Sequence, residues 1–278
     1  MIVFGYLHIT EEKIMRFNKN GRHAAFYALC MLTIVSVPAL SACSPAAAPP
    51  ANDTVALDEF DTLEVKVSSY DFTLQKGNSL SLEYVADKGM EPVIAKENGK
   101  LTVKQPSKLF FGSLFGAGHA AGSYTVTVPD GTKVNLKVKS SSGDVMLNDV
   151  EGELIEAETG SGHIECDKVK AGAVSFGTSS GDMELLRIFA DDISCDSSSG
   201  EVELNNSTGR NVMCSSSSGD VEISLNGNSE GYSYYADTSS GEIKVNGKNA
   251  KKEFVSEDGK DGKVAVHTSS GDIEIEVK

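Results

Sequence analysis

Hydrophobic and polar positions alternate in short runs along the second half of the chain, and each run is interrupted at a Ser-Gly pair. The glycines of those pairs stand at 143, 162, 181, 200, 219, 241 and 271, so four successive intervals are 19 residues and the last two are 22 and 30. Two and four residues after each glycine the chain is apolar, as in Val145/Leu147, Ile164/Cys166, Met183/Leu185 and Val202/Leu204. A second alternating pair sits seven and five residues before each later glycine, as in Ile155/Ala157, Val174/Phe176, Ile193/Cys195 and Val212/Cys214. A period of two buries one face of a strand. Each repeat therefore predicts two short strands joined at an "SSGD" corner.

A 19-residue unit is too short and too β-patterned for a helical repeat, and too regular for unrelated hairpins. What remains is a coil that stacks each strand on its equivalent in the next turn, about 4.8 Å away. The expected fold class is all-β: a single-domain parallel β-solenoid, β-helix-like, with coils of about 19 residues. A third apolar position at Val150, Val169 and Ile188 gives way to Ser207, so one wall is less regular than the others. Upstream, "VKVSSYDFTL" (65–74) imitates strand, corner and strand with Tyr70 in place of glycine, and "YTVTVPDG" (124–131) is another alternating strand ended by a turn. The pattern sets a solenoid domain at 53–278, with irregular early coils over 53–135, recognisable from near Leu63, and regular ones over 136–278. The final run, "SSGDIEIEVK", is expected to leave an open strand edge guarded by Glu274, Glu276 and Lys278.

Gly143, Gly162, Gly181, Gly200, Gly219, Gly241 and Gly271 are read as structural corners. Glycine takes a left-handed or otherwise strained conformation without a Cβ clash, and the serines before it can bond local amides and one another along the stack. A nucleophilic serine is single and specially placed; these are periodic. The motif is a joint, not a catalytic device.

The strongest chemical constellation is acidic. One residue after the glycine stand Asp144, Asp182, Glu201, Asp220, Glu242 and Asp272, and three after it stand Glu165, Glu184, Glu203, Glu222 and Glu274, all outward by alternation. Asp182, Glu184, Glu201, Glu203, Asp220 and Glu222 stack on one wall, where neighbouring like charges repel by about 1 kcal/mol in water. Three readings follow: a site for a hard cation such as Ca²⁺, a surface for a cationic partner, or a solvated face that resists aggregation. The Gly-Gly-x-Gly-x-Asp turn of Ca²⁺-binding solenoids is missing. Zinc is excluded as a structural motif, since the histidines after residue 43 (His119, His163, His267) are scattered and no Cys-x-x-Cys occurs.

The N-terminus has a different character. "MRFNKNGRH" is basic, an apolar run of about 17 residues follows, and "LSAC" ends it at Cys43. This order resembles the bacterial lipoprotein signal, which is cut before the cysteine so that the thiol carries lipid. It implies a signal peptide over 1–42, with Met15 as an alternative start, a lipidated Cys43, and a Pro/Ala tether over 43–52 that acts as a semi-extended spacer. The chain is then exported and joined to a membrane through Cys43, on the extracytoplasmic face. Of 25 basic and 40 acidic side chains, four basic and two acidic lie in 1–42, so the part from Cys43 onward carries a net charge of −17. Such a surface repels nucleic acid.

Three further features stand out. "KLFFGSLFGAGHAAGS" (108–123) sets Phe110, Phe111, Leu114 and Phe115 among glycines, either as a cap on an apolar end or as a partner-contact finger. Cys195 and Cys214 fall at one buried position of successive coils, a ladder of core-filling thiols or a bridge. Tyr232 and Tyr235, with Tyr234 inward, form either a small sugar-stacking platform or the cover of a widened coil.

Taken together, "LDEFDTLEVKVSSYDFTL", "YTVTVPDG" and the "SSSGDV" coils resemble, in that order, a bacterial family of unknown function labelled "putative adhesin". The resemblance covers most of the chain after the tether and implies a solenoid on the cell envelope with no catalytic residues and no cofactor. Three function classes follow: a non-enzymatic adhesive or scaffolding lipoprotein with an envelope, cell-wall or host ligand; an envelope-stress module that binds cationic peptides through the acidic wall; and a polysaccharide-acting β-helix enzyme. The acidic walls disfavour the last, because an enzyme acting on anionic glycans needs a cationic groove.

Overall fold

The alternating pairs become strands of one 21-stranded sheet wound around a single apolar core. A computed structural model describes residues 51–106 and 122–278. Apart from a single 3-10 turn at Ser229–Gly231, the described elements are all β, consistent with a β-solenoid. Residues Ala47–Lys278 form one compact unit. Strands before the corner make a front wall, and strands after it make a second wall. In the middle of the front wall Ile155, Val174, Ile193 and Val212 are register partners, each 19 residues from the last, and Ile164, Met183 and Val202 are partners on the second wall. All of these side chains are buried. Packing compensates for unequal size: along one inward column Ala157 adjoins Phe176, Phe176 adjoins Cys195, and Cys195 adjoins Cys214.

Nine coils stack among the described residues, but not in chain order. On the front wall the sequence of neighbours is Lys100–Lys104, Thr62–Lys66, Asn135–Lys139 and Leu154–Thr159, then Ala173–Thr178 and the far halves of Met183–Ser197 and Val202–Ser216, then Gly262–Ser270 and Tyr232–Ser240. The coil that ends the chain is therefore inserted between the Gly219 and Gly241 coils. At the other end the Tyr70 coil lies inside the coil that follows it in sequence. The final strand Ile273–Val277 pairs on both sides, with Val221–Leu225 and with Ile243–Val245. This corrects the open edge expected of "SSGDIEIEVK". Antiparallel strands cover each end instead: Val93–Glu97 and Ser81–Ala86, with Ala51–Ala56 beyond the latter, at one; Glu253–Ser256 and Lys248–Ala250 at the other.

The seven corner glycines form one column, but their reason differs from the one expected. None has a positive φ. What forbids a side chain is the neighbour: a Cβ on Gly162, Gly181, Gly200 or Gly219 would lie 1.8–2.2 Å from the carbonyl oxygen of the preceding corner glycine. The same holds for Gly271 against Gly219 and Gly241 against Gly271, which gives the coil order independently of the strand pairing. Gly143 meets the carbonyl of Tyr70, the corner residue of its neighbouring coil. The hydroxyl three residues before the glycine closes the joint. Thr159 Oγ1 accepts from Gly162 N (3.1 Å) and donates to Gly143 O (3.1 Å), and Thr178 does the same for Gly181 and Gly162 (2.9 and 3.4 Å).

A second corner carried no glycine signal. Asp149, Lys168, Arg187 and Asn206, six residues after their glycines, have φ of 56°, 57°, 57° and 50°. A left-handed conformation costs a non-glycine residue about 1 kcal/mol, and the register repeats that strain every 19 residues. Just beyond it Val150, Val169 and Ile188 are buried, as is Ser207, whose Oγ accepts from Ile188 N (2.9 Å) and donates to Asn205 O (2.9 Å). The break in the third apolar column is thus a satisfied hydroxyl.

Both ends are filled by aromatic rings with tethered hydroxyls. Tyr70 and Tyr124 meet edge to face at 5.6 Å; Tyr70 Oη accepts from Asp87 N (2.9 Å) and Tyr124 Oη donates to Met90 O (2.7 Å). At the opposite end Tyr232 Oη donates to Gly209 O and Tyr234 Oη to Ser229 O, both at 2.8 Å. Burial pushes all four phenols above their ordinary pKa.

Candidate functional site

The second wall gathers the predicted carboxylates. Glu165, Glu184, Glu203, Glu222 and Glu274 are successive register partners, and the column ends on Lys244, which is 2.5 Å from Glu274. Burial, and after it the carboxylates of Glu201, Glu222, Glu184 and Asp182, raises the pKa of Glu203. The column one residue after the glycine has another task. Asp144 accepts from His163 N (2.8 Å), Asp182 from Glu201 N (3.0 Å), Asp220 from Asp272 N (2.7 Å) and Asp272 from Glu242 N (2.7 Å). These carboxylates join adjacent coils. Among the described residues no group of three His, Cys, Asp or Glu side chains is placed to hold a metal ion.

Charge is distributed unevenly along the chain. Residues 43–139 contain ten basic and eleven acidic side chains, and residues 140–278 contain eleven basic and twenty-seven acidic. Nearly the whole −17 belongs to the later coils. In the early ones Glu64 is bonded by Lys66 and by Lys100 (2.9 Å), which pull its carboxyl down to about 2. Lys137 and Lys139 each lie 2.5 Å from a glutamate of the next coil, Glu156 and Glu158.

The remaining candidates resolve as follows. Of the two readings of these tyrosines, the sugar-stacking pair does not form, because Tyr232 is buried with Tyr234 next to the 3-10 turn and Tyr235 alone is outside. Cys195 and Cys214 are register partners with free thiols, buried in the core; the hydrogen bond to Cys214, and after it desolvation, raises the Cys195 thiol pKa, and desolvation raises that of Cys166. Phe110, Phe111, Leu114 and Phe115 lie outside the described residues, as do the signal segment 1–42 and Cys43. Of the tether, Ala51 and Asn52 belong to strand Ala51–Ala56.

Sequence reasoning missed an apolar row on the front wall. Met213, Ala265, Tyr235 and Val255 point outward on four adjacent strands, and Met213, Tyr235 and Val255 are 62%, 40% and 51% exposed. Met213, Tyr235 and Ala265 each stand six residues before a corner glycine, so the alternation itself puts them in one outward column.

These features define a class, a coil-stacked β protein covered at both ends with charged side walls. Residues 60–277 match the family model Toastrack DUF4097, and the chain belongs to that family. It is the "putative adhesin" family to which the sequence motifs pointed. No curated protein matches the chain. Among solved structures it is similar to a putative cell adhesion protein from Clostridium sporogenes (16% identity, 82% of this chain and 100% of that one, TM-score 0.38). It is also similar to a putative adhesin from Bacteroides fragilis (11%, 81% and 96%, 0.45) and to a putative lipid binding protein from Parabacteroides distasonis (16%, 83% and 97%, 0.44).

Proposed function

We propose that the chain is an exported cell-envelope lipoprotein, anchored at Cys43 and spaced by its Pro/Ala tether, whose coil stack acts as a non-enzymatic adhesive or scaffolding body. One observation carries the reading: the polar groups of the repeated corner are already used. Corner amides, the hydroxyls of Thr159 and Thr178, and the carboxylates of Asp144, Asp182 and Asp220 close bonds between coils. What the repeat offers outward is surface, and flat repeated surfaces suit binding to other surfaces. Labelled palmitate fed to cells should enter the wild-type protein and be lost in Cys43→Ala, and cells lacking the protein should adhere less to an envelope or host matrix. Label retained by Cys43→Ala would remove the anchor from the account.

A second reading is favoured by the glutamate column. Glu184, Glu203 and Glu222 repel one another, and a cationic peptide laid along them relieves that repulsion. Binding of a basic peptide that weakens steeply with salt, and weakens further in a Glu184→Gln, Glu203→Gln, Glu222→Gln variant, would support it. Binding indifferent to salt would count against it.

A further inference from the structure

The charge of the front wall reverses along the stack. Its first four strands, counting the covering strand, are Val93–Glu97, Lys100–Lys104, Thr62–Lys66 and Asn135–Lys139, and they carry six lysines against Glu97 and Glu64. That surplus of four positive charges stands on a chain whose net charge from Cys43 onward is −17. Lys104, Lys66 and Lys139 are register partners in one outward column, where like charges repel across strands. Lys96 and Lys104 are exposed and make no ion pair among the described residues. Beyond these strands the sign changes. Leu154–Thr159 brings Glu156 and Glu158, bonded to Lys137 and Lys139, and the next charged strand brings Asp192 and Asp196.

The described chain begins at the same end. Strand Ala51–Ala56 lies beyond Ser81–Ala86. Ala51 faces Ala86, one residue past the pair of Val85 with Ser123, and is level with the corner residue Tyr70, since Ser123 pairs with Asp71. Lys66 stands four residues before Tyr70 and Lys139 four before Gly143, so the lysine column runs beside that corner. Along the stack Ala51 is two strand spacings from the coil of Lys104, about 10 Å. Cys43 precedes Ala51 by eight residues, which span about 25 Å when extended. At the other end Glu253–Ser256 lies eleven strand spacings from Ala51, about 53 Å.

Resting on the anchored reading, we infer that the lysine end of the front wall docks on the anionic headgroups of the membrane that holds Cys43. The stack then leans on its first four strands and carries its acidic coils outward. The other postures within reach of the tether oppose like charges. Lying on the second wall sets the column of Glu165, Glu184, Glu203 and Glu222 against the headgroups, and lying along the whole front wall sets Asp196, Asp237 and Glu253 there. Leaning on the lysine end sets a cationic face there instead. The overall negative charge does not cancel this contact. Asp192 and Asp196 lie three strands beyond Lys139, about 14 Å, and the screening length is about 8 Å at physiological ionic strength. The exposed row of Met213, Tyr235 and Val255 is carried clear of the bilayer.

The test supplies its own tether. The chain from Ala47 onward, a compact unit with its own core, is held by an N-terminal oligohistidine tag on nickel-chelating lipid, in vesicles of phosphatidylcholine with or without phosphatidylglycerol. A dye on Val93→Cys or on Val255→Cys, exposed positions at opposite ends of the front wall, reports energy transfer to a headgroup dye, while Cys166, Cys195 and Cys214 are buried. With phosphatidylglycerol, transfer from position 93 should exceed that from 255 about threefold or more, because ten strand spacings, about 48 Å, separate them. The excess should fall by about half or more in phosphatidylcholine alone and at near-molar salt. It should fall likewise in the double variant Lys96→Glu, Lys104→Glu, which breaks no ion pair and should melt as the wild type does. Equal transfer from the two positions would overturn the inference. So would an excess that survives in neutral vesicles or in the lysine variant, because the tether alone would then set the posture. Release by soluble polyphosphate without any preference for phosphatidylglycerol would assign the lysines to a soluble polyanion and overturn it too. Posture on vesicles and palmitate on Cys43 are read separately, so a lysine contact that fails and an anchor that fails are told apart.

Discussion

The middle coils and the two ends of the stack solve the same packing problem in opposite ways. In the middle, coils follow one another every 19 residues, corners are glycines under 2.3 Å from the next carbonyl when given a Cβ, and the core is mostly aliphatic. At each end one coil is out of chain order, antiparallel strands cover the exposed face, and buried tyrosines replace aliphatics. A repeat is content with neighbours identical to itself, so its interior needs nothing but periodicity. Its ends lack such a neighbour, and an unfinished parallel edge recruits other chains. The difference teaches that regularity and termination are separate problems with separate residues.

The comparison breaks most visibly at the corners. Gly181→Ala places its Cβ 1.8 Å from Gly162 O, a backbone atom held on both sides by the stack, and should cost at least about 3 kcal/mol in a urea melt. Gly247→Ala, in the hairpin turn at the far end, has open space but φ of +76°, and should cost about 1 kcal/mol. Equal costs would mean that the corners are conformational, not steric.

The ends have their own weak points. Tyr124→Phe and Tyr232→Phe each leave a carbonyl, the half-buried one of Met90 and the buried one of Gly209, without its donor and should cost about 1 kcal/mol apiece, additively, because they lie at opposite ends. Smaller effects separate the acidic middle from the near-neutral early coils. Glu203→Lys converts repulsion with Glu184 and Glu222 into attraction and should stabilise by a few tenths of a kcal/mol, whereas Lys137→Glu, beside Glu64 and Glu156, should destabilise by a similar amount. Acid acts on the two regions with opposite sign. Glu64, down to about 2 against 4.5, contributes stability that is full above pH 4.5 and is lost as pH falls toward 2. Glu203, raised above 4.5, is costly when charged, and that cost is relieved as pH falls through its pKa. Carbon-13 NMR of the side-chain carboxyls should find Glu64 titrating below, and Glu203 above, the ordinary glutamate value.

Much of the middle was legible because a period of two inside a period of 19 specifies which side chains are buried and which positions stack. Val174, Ile193 and Val212 need no structure to be aligned. The ends were not legible, because every coil carries the same pattern and a pattern defines what a coil is, not which coils it touches. The 22- and 30-residue intervals were the only signal, and their extra residues turn out to be the 3-10 turn at Ser229–Gly231 and the covering strands Lys248–Ala250 and Glu253–Ser256. The left-handed corner at Lys168 and Arg187 was hidden because neither residue type marks that conformation. The acidic columns were visible in sequence, but their division of labour was not. That Asp182 accepts from the backbone amide of Glu201 while Glu203 accepts from the side-chain amide of Asn205 within its own strand follows from distances alone.

The insertion of the last coil between the Gly219 and Gly241 coils is the claim on which the coil order and the closed end depend. Disulfide trapping tests it with outward residues of the second wall, where Glu222 is the register partner of Glu274 and Glu274 that of Lys244. The double variant Glu222→Cys, Glu274→Cys should cross-link readily within one chain, and Glu222→Cys, Lys244→Cys, two coils apart, should not. Cross-linking of 222 to 244 in place of 274 would show the coils stacked in chain order and contradict the account.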